Sequence, residues 1–213
     1  MQILLQQIIP TYFEKEQISG SEIWDKNITF SKGEHLHIVA PSGSGKTSLI
    51  HFLYGLRKDY EGTISYEKEN IKNFSLEKFS IFRQKNLSIV FQDLRLFNDQ
   101  TVKENIELKR QLNPYHPPLK IDEMATRLGI ANKLNRLAKP CSYGEQQRIA
   151  IIRSLMQPFD FLLLDEPFSN LDEVNRSKAF ELIKEECKQR NASMIFADLK
   201  ELEFFKGERI LKL

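Results

Sequence analysis

The chain has 213 residues, 41% hydrophobic and 28% charged, with 31 Lys and Arg against 29 Asp and Glu and a net charge of +2. That much apolar material excludes a disordered polymer and suits one domain over residues 1–213. So balanced a charge excludes a broad electrostatic surface for nucleic acid. Two cysteines, Cys141 and Cys187, are too few for a disulfide framework and lack zinc-site spacing, so a reducing compartment is expected. No apolar run reaches the roughly 18 residues of a membrane span, and the first residues carry no basic, apolar export signal.

In chain order, the first alternating segment is Ile28-Thr29-Phe30, which predicts a partly exposed strand. Residues 36–40 (Leu-His-Ile-Val-Ala) are instead apolar throughout, as a strand covered on both faces would be. That strand runs directly into Ala40-Pro41-Ser42-Gly43-Ser44-Gly45-Lys46-Thr47, and an apolar-periodic helix follows from Ser48. Strand, glycine loop and helix in this order form a P-loop. Gly43 and Gly45 free the backbone so that successive N–H groups converge on a phosphate. Lys46 adds a point charge for the β/γ oxygens, and the helix N-terminus adds its partial positive charge. The candidate cradle is therefore Ser42, Gly43, Ser44, Gly45, Lys46, Thr47 and Ser48, with the Thr47 hydroxyl available to magnesium. Ala40 departs from the pattern, standing where its first glycine usually does.

Residues 62–66 (Gly-Thr-Ile-Ser-Tyr) alternate and join the exposed sheet, whereas 88–91 (Ser-Ile-Val-Phe) form another buried strand. From about 94 to 140 no strand is expected. Pro114, Pro117 and Pro118 break this stretch, and Ile121, Met124, Ala125 and Leu128 recur at helical spacing, so it reads as a helical insertion. Ser142 and Glu145 fit a capping box at the start of the next helix, carrying the helical part to about 156. Residues 161–164 (Phe-Leu-Leu-Leu) lead into Asp165-Glu166, two carboxylates at the end of a buried strand, where a cation or charged partner must compensate them. Asp165 suits magnesium, and Glu166 is placed to polarise an attacking water. Cys187 falls in step with Ala179 and Ile183 and reads as a core thiol. Residues 194–197 (Met-Ile-Phe-Ala) close the buried set, and 209–213 (Arg-Ile-Leu-Lys-Leu) alternate like the antiparallel strands. The expected architecture is α/β: a mainly parallel core sheet, a small antiparallel subdomain and a helical insertion.

The P-loop, Val90-Phe91-Gln92-Asp93, Ser142-Tyr143-Gly144-Glu145-Gln146-Gln147-Arg148, Asp165-Glu166-Pro167 and Ser169-Asn170-Leu171-Asp172 follow one another in an order that resembles the ATP-binding cassette (ABC) ATPase family across essentially the whole chain. Residues 82–87, 91–97 and 101–106 look most like its bacterial branch serving lipoprotein release, macrolide export and cell division. The resemblance implies ATP and Mg²⁺ as ligands, and Lys46, Gln92 and Glu166 as the catalytic set. It implies magnesium held through Thr47, Gln92 and Asp165. It further implies that Ser142, Gly144 and Glu145 reach ATP held by a second ABC subunit, with Ser169 and Asp172 at the dimer interface. An aromatic is expected to stack on adenine, with Tyr12 the first candidate and Phe13 and Trp24 behind it. A separate transmembrane permease would be the other partner, contacting the insertion after Gln92, and would place the chain on the cytoplasmic face of the cell membrane.

Two positions depart from the family pattern. Ala197 stands where a histidine usually bridges the γ-phosphate and the water, and Tyr143 replaces the first signature glycine. Binding is expected to survive these changes and turnover to be slow. That keeps open a second reading, an ATP-dependent dimerisation clamp or regulator. The span between Lys46 and Ser142 is too short for the coiled coil of a DNA-repair cassette, a translation cassette usually carries two units in tandem, and other P-loop enzymes do not account for residues 142–148. His35, His37, His51 and His116 read as structural.

Overall fold

The computed structural model describes residues 1–201 and 209–213. β1 (Gln2–Pro10), the short α1 (Lys15–Ile18) and β2 (Asn27–Ser31) open the chain, followed by β3 (His35–Val39) and α2 (Lys46–Leu53). Next come β4 (Tyr60–Tyr66), β5 (Glu69–Asn70), α3 (Leu76–Lys85) and β6 (Leu87–Val90). α4 (Val102–Leu112), α5 (Leu119–Arg127) and α6 (Tyr143–Leu155) form the insertion, before β7 (Phe161–Asp165), α7 (Glu173–Arg190), β8 (Ser193–Asp198) and β9 (Arg209–Lys212).

The strands sort into two sheets, β6-β7-β8-β3-β9 and β2-β1-β4-β5. Every pairing in the first is parallel, and β6 and β7 are buried along their whole length, β3 and β8 along most of theirs, because layers cover both faces. Alternation then divides the side chains. Leu162, Leu164, Met194 and Phe196 pack with α6 and α7, whereas Phe161, Leu163, Ile195 and Ala197 face α2 and the antiparallel sheet. This α/β arrangement places the ends of β3, β7 and β8 together, which is where loops can converge on a ligand.

Two expectations about strands need correction. Residues 209–213 do not join the antiparallel sheet: β9 runs parallel to β3 at the edge of the core sheet. Its polar alternation reflects an edge that is covered on one side, with only Leu211 buried, and period alone does not choose the pairing partner. β1 was not foreseen as a strand, yet it lies inside the antiparallel sheet between β2 and β4. A bulge at Gln7, where φ is +49°, shifts the register between Gln6 and Ile9, so that Ile3, Leu5 and Ile8 break strict alternation.

The insertion is helical as expected, and an isolated bridge between Thr101 and Leu137 is its one strand-like pairing among the described residues. Ile121, Met124, Ala125 and Leu128 are buried on one side of α5 against the α6 cluster. Both α4 and α6 begin with complete capping boxes, Thr101 with Glu104 and Ser142 with Glu145. Cys187 is fully buried and free. His116 is hydrogen-bonded at 2.6 Å to buried Glu186, which ties the loop before α5 to α7. No helix among the described residues is long and apolar enough to cross a membrane.

Candidate active site

The loop between β3 and α2 adopts the conformation its glycines permit. Gly43 and Gly45 have φ of +83° and +95°. Gly45 is required twice over, because a Cβ there would lie 2.8 Å from Phe13 Cζ and 2.9 Å from Trp24 Cζ2. Trp24 is fully buried beneath the loop and its indole N–H donates to the Ser44 carbonyl at 3.2 Å. That burial removes Trp24 as a base-stacking candidate. Ala40 is accommodated with its methyl buried and its N–H donating to Asp198. The Ser44 hydroxyl donates to the Pro41 carbonyl at 2.8 Å, closing the turn.

Lys46 is 5% exposed, and its ammonium lies 2.8 Å from the Ala40 and Pro41 carbonyls and 3.7 Å from Glu166 Oε1. The Thr47 hydroxyl donates to Gln92 Oε1 at 3.2 Å, and the Gln92 amide donates to Glu166 Oε2 at 3.4 Å. Tyr12, Phe13, Ser42, Gly43, Gly45, Lys46, Thr47, Ser48, Gln92 and Glu166 thus surround one open hollow of about 220 Å³. Residues from four separate stretches of chain meet here, so Lys46, Gln92 and Glu166 lie together.

Glu166 sits at φ +46°, a left-handed conformation that costs a non-glycine residue on the order of 1 kcal/mol or more. Three bonds hold it there: its N–H donates to the Ala197 carbonyl at 2.9 Å, and its carbonyl accepts from the Gln147 amide at 3.2 Å and the Ser169 N–H at 3.3 Å. The same Gln147 side chain reaches the Ser169 hydroxyl at 3.3 Å and accepts from the Asn170 N–H at 3.0 Å. Sequence reasoning quoted Gln147 within its motif and gave it no role. The structure makes it the strut between α6, the Glu166 backbone and the loop carrying Ser169.

Asp165 is 1% exposed and neither carboxylate oxygen has a hydrogen-bond partner. Burial pushes its carboxyl up to about 6, while the nearby Thr47 hydroxyl, engaged with Gln92, and Lys46 pull the other way. Burial likewise raises Asp198, which also feels the Glu166 charge. Three carboxylates around one buried lysine leave the site short of positive charge. Two orphaned acceptors beside a hydroxyl and an amide oxygen are all hard oxygen donors, few in number, which fits Mg²⁺ with its remaining positions filled by water and phosphate.

The other foreseen residues lie elsewhere. Ser142 caps α6, accepting from the Glu145 N–H, and Glu145 also pairs with Lys133 at 3.1 Å. Gly144 lets α6 approach the next loop, since a Cβ would stand 2.8 Å from the Asn170 carbonyl. Asp172 caps α7 through the Asn175 N–H. None of Ser142, Gly144, Glu145, Ser169 and Asp172 lines the hollow of its own chain. They stand beside it, linked to the site by Gln147, by the Ser169 N–H, which donates to the Glu166 carbonyl at 3.3 Å, and by the half-exposed Tyr143 hydroxyl, which reaches the Gln92 carbonyl at 3.5 Å.

Arg153 was also missed. The two residues after Asp93, Leu94 and Arg95, have φ of +58° and +46°, and the buried Arg153 guanidinium donates to both carbonyls at 2.6 and 2.7 Å. Burial pulls this guanidinium down to about 10. Arg153→Leu is expected to lower unfolding free energy by about 2 kcal/mol or more, read by urea denaturation, because the strained turn loses both of its donors. An unchanged midpoint and slope would show that the turn holds itself.

A glycine loop with two left-handed residues between strand and helix, a buried lysine and an unpaired strand-end carboxylate together define a P-loop nucleotide-binding ATPase. The family model for "ABC transporter" matches residues 24–169. The chain is 32% identical over 86% of its length to the aliphatic sulfonates import ATP-binding protein SsuB of Bacillus licheniformis, covering 68% of that protein. It is 31% identical over 79% of its length to the lipoprotein-releasing system ATP-binding protein LolD of Shewanella denitrificans, covering 74%. Its fold matches the dimeric structure of the ATP-binding cassette MJ0796 bound to ADP and Pi with a TM-score of 0.80, at 22% identity, over 93% of this chain and 88% of that one. The chain belongs to the ABC transporter family, as its ATP-binding subunit.

Proposed function

We propose that residues 1–213 act as one nucleotide-binding domain that binds Mg·ATP between two cassettes and hydrolyses it slowly to drive a separate permease. The observation that carries this reading is the convergence of Lys46, Thr47, Gln92 and Glu166 on one hollow above the unpartnered Asp165. In it, the P-loop amides and Lys46 hold the triphosphate and Tyr12 stacks on adenine. Thr47, Gln92 and Asp165 would hold Mg²⁺, which would supply neutralisation of the triphosphate charge. Glu166 takes a proton from the water that Gln92 orients; as that oxygen bonds to the γ-phosphorus, the bond to the β,γ-bridging oxygen breaks and ADP leaves. Ser142, Gly144, Glu145, Ser169 and Asp172 face the nucleotide of the second subunit, in keeping with their exclusion from the hollow of their own chain. Docking on the permease puts the chain at the cytoplasmic face of the cell membrane. Import and release relatives match at almost equal identity, so they support the shared ATP-binding role and not one cargo.

Slow turnover rests on Ala197. It is fully buried, pairs in register with Asp165, and lies on the sheet face toward the P-loop, where the family pattern places an imidazole. Loss of one positioned electrostatic group costs on the order of 10²–10³ in rate. Calorimetry with Mg·ATP tests binding, with Lys46→Ala as the control; no heat of association for the parent would end the proposal. Steady-state ATPase tests the rate. Ala197→His is expected to raise it about tenfold, and a brisk parent rate indifferent to the substitution would remove the slow-turnover reading. The same residue favours the clamp as second reading: ATP-dependent dimerisation with no measurable turnover on the permease would select it.

A further inference from the structure

Tyr12 is held from a side that the family pattern does not specify. β1 ends at Pro10, and Thr11 is sewn to the loop after α2: its N–H and hydroxyl donate to the Asp59 carbonyl at 3.1 and 3.2 Å. From that loop the Arg57 guanidinium lies over the Tyr12 ring, 4.9 Å from its centroid. Arg57 is itself fixed by a two-pronged bond to Asp59, with Nε 3.0 Å from Oδ1 and Nη2 bonded to Oδ2. The remaining nitrogen, Nη1, donates to Ser48 Oγ at 3.3 Å, the same oxygen that accepts from the Tyr12 hydroxyl. Phe13 meets the Tyr12 ring edge-on at 5.3 Å. The ring nevertheless stays 46% exposed and lines the hollow.

We infer that Arg57, tethered by Asp59, is a positioning residue that fixes Tyr12 as the platform for the base, so that this pair sets how much the nucleobase adds to triphosphate affinity. The inference rests on the reading of Tyr12 as the stacking residue. An exposed tyrosine in a loop samples several rotamers, and binding a base would require ordering it. A cation over the ring, a hydrogen bond at its hydroxyl and an edge contact order it beforehand. The flat guanidinium suits this role because its fork engages Asp59 while its face remains free to lie over a ring. The arrangement meets the glycine loop and α2 through Phe13 at Gly45 and through Ser48, which leaves two ways Arg57 can act. If it works through the ring, the effect appears only with ligands that carry a base. If it merely steadies α2, every polyphosphate suffers alike.

The test compares dissociation constants for Mg·ATP and Mg·tripolyphosphate by calorimetry, on full-length parent, Arg57→Ala, Arg57→Gln, Arg57→Lys, Asp59→Ala and Tyr12→Ala chains. Arg57→Ala and Arg57→Gln are expected to weaken ATP about fivefold and tripolyphosphate less than about twofold. Asp59→Ala should act in the same direction, and Arg57→Lys, which keeps the cation, should recover part of the loss. In a Tyr12→Ala background the Arg57 substitution should cost nothing further. Equal weakening of both ligands, or an undiminished Arg57 effect without Tyr12, would overturn the inference. Should Tyr12→Ala leave the ATP to tripolyphosphate ratio unchanged, the stacking assignment and this inference fall together. A parent that does not bind Mg·ATP at all is the distinct failure of the proposed function.

Discussion

Glu166→Gln is expected to lower ATP hydrolysis by about 10²–10⁴-fold while leaving Mg·ATP binding within about threefold of the parent, the range for loss of a positioned general base. The geometry separates the two quantities. In the proposed site binding draws on the loop amides, Lys46 and Thr47, of which only Lys46 approaches the Glu166 carboxylate. Glutamine keeps the shape and can still meet the Gln92 amide, which approaches Glu166 Oε2 at 3.4 Å. The unusual backbone at φ +46° is held by main-chain contacts to Ala197 and Gln147, so the substituted side chain should still point into the hollow. What disappears is the proton acceptor. The substitution also removes the carboxylate 3.7 Å from Lys46, leaving the lysine freer to turn to phosphate, so binding should not weaken. Single-turnover hydrolysis with labelled ATP measures the rate and calorimetry the affinity. A rate within about threefold of the parent would take the base role from Glu166.

Asp165→Asn should act in opposite directions on two measurements. In the metal-free chain at pH 7 it is expected to raise unfolding free energy by on the order of 2 kcal/mol, because a carboxylate with no partner is costly to bury. The sign follows from its raised pKa, about 6 in the fold against an ordinary 3.8. The folded state holds the proton more tightly, so this group's favourable contribution is complete below about pH 4. It falls away as pH rises from about 4 to 6 and is absent at neutrality. Asparagine removes that loss, so urea midpoints of the variant should exceed the parent's above pH 6 and converge toward it in acid. Magnesium reverses the ranking: with one of its oxygen partners neutralised, Mg²⁺-dependent ATP affinity should drop about 10- to 100-fold. A variant destabilised in EDTA, or binding Mg·ATP as tightly as the parent, would contradict this account of Asp165.

The chemistry legible in the sequence was the chemistry carried by contiguous residues. Gly43, Gly45, Lys46 and Thr47 lie within one turn, so their spacing states how amides, ammonium and hydroxyl will be arranged, and the structure arranges them so. The Ser142–Glu145 cap and the apolar face of α5 are equally local. Arg57 and Arg153 were illegible for the converse reason. Each acts on a segment distant in the chain, the first on Tyr12 and the second on Leu94 and Arg95. An arginine in a helix or loop looks the same whether it faces solvent or a strained turn. Trp24 stood behind Tyr12 as a stacking candidate until burial put its indole beneath Gly45 and removed it.

The sequence by itself determined the four buried strands, the helical insertion and the glycine loop with its lysine and threonine, because local backbone freedom and side-chain type decide these. Only the tertiary structure decided that β9 pairs parallel with β3, that β1 runs through the antiparallel sheet, that Gln147 holds Glu166 in its left-handed turn, and that Ser142 lies outside the hollow of its own chain. Those features arise from which surfaces meet when the two sheets and the insertion close on a common core. A pairing of that kind depends on the whole chain at once, and no stretch of a few residues encodes it.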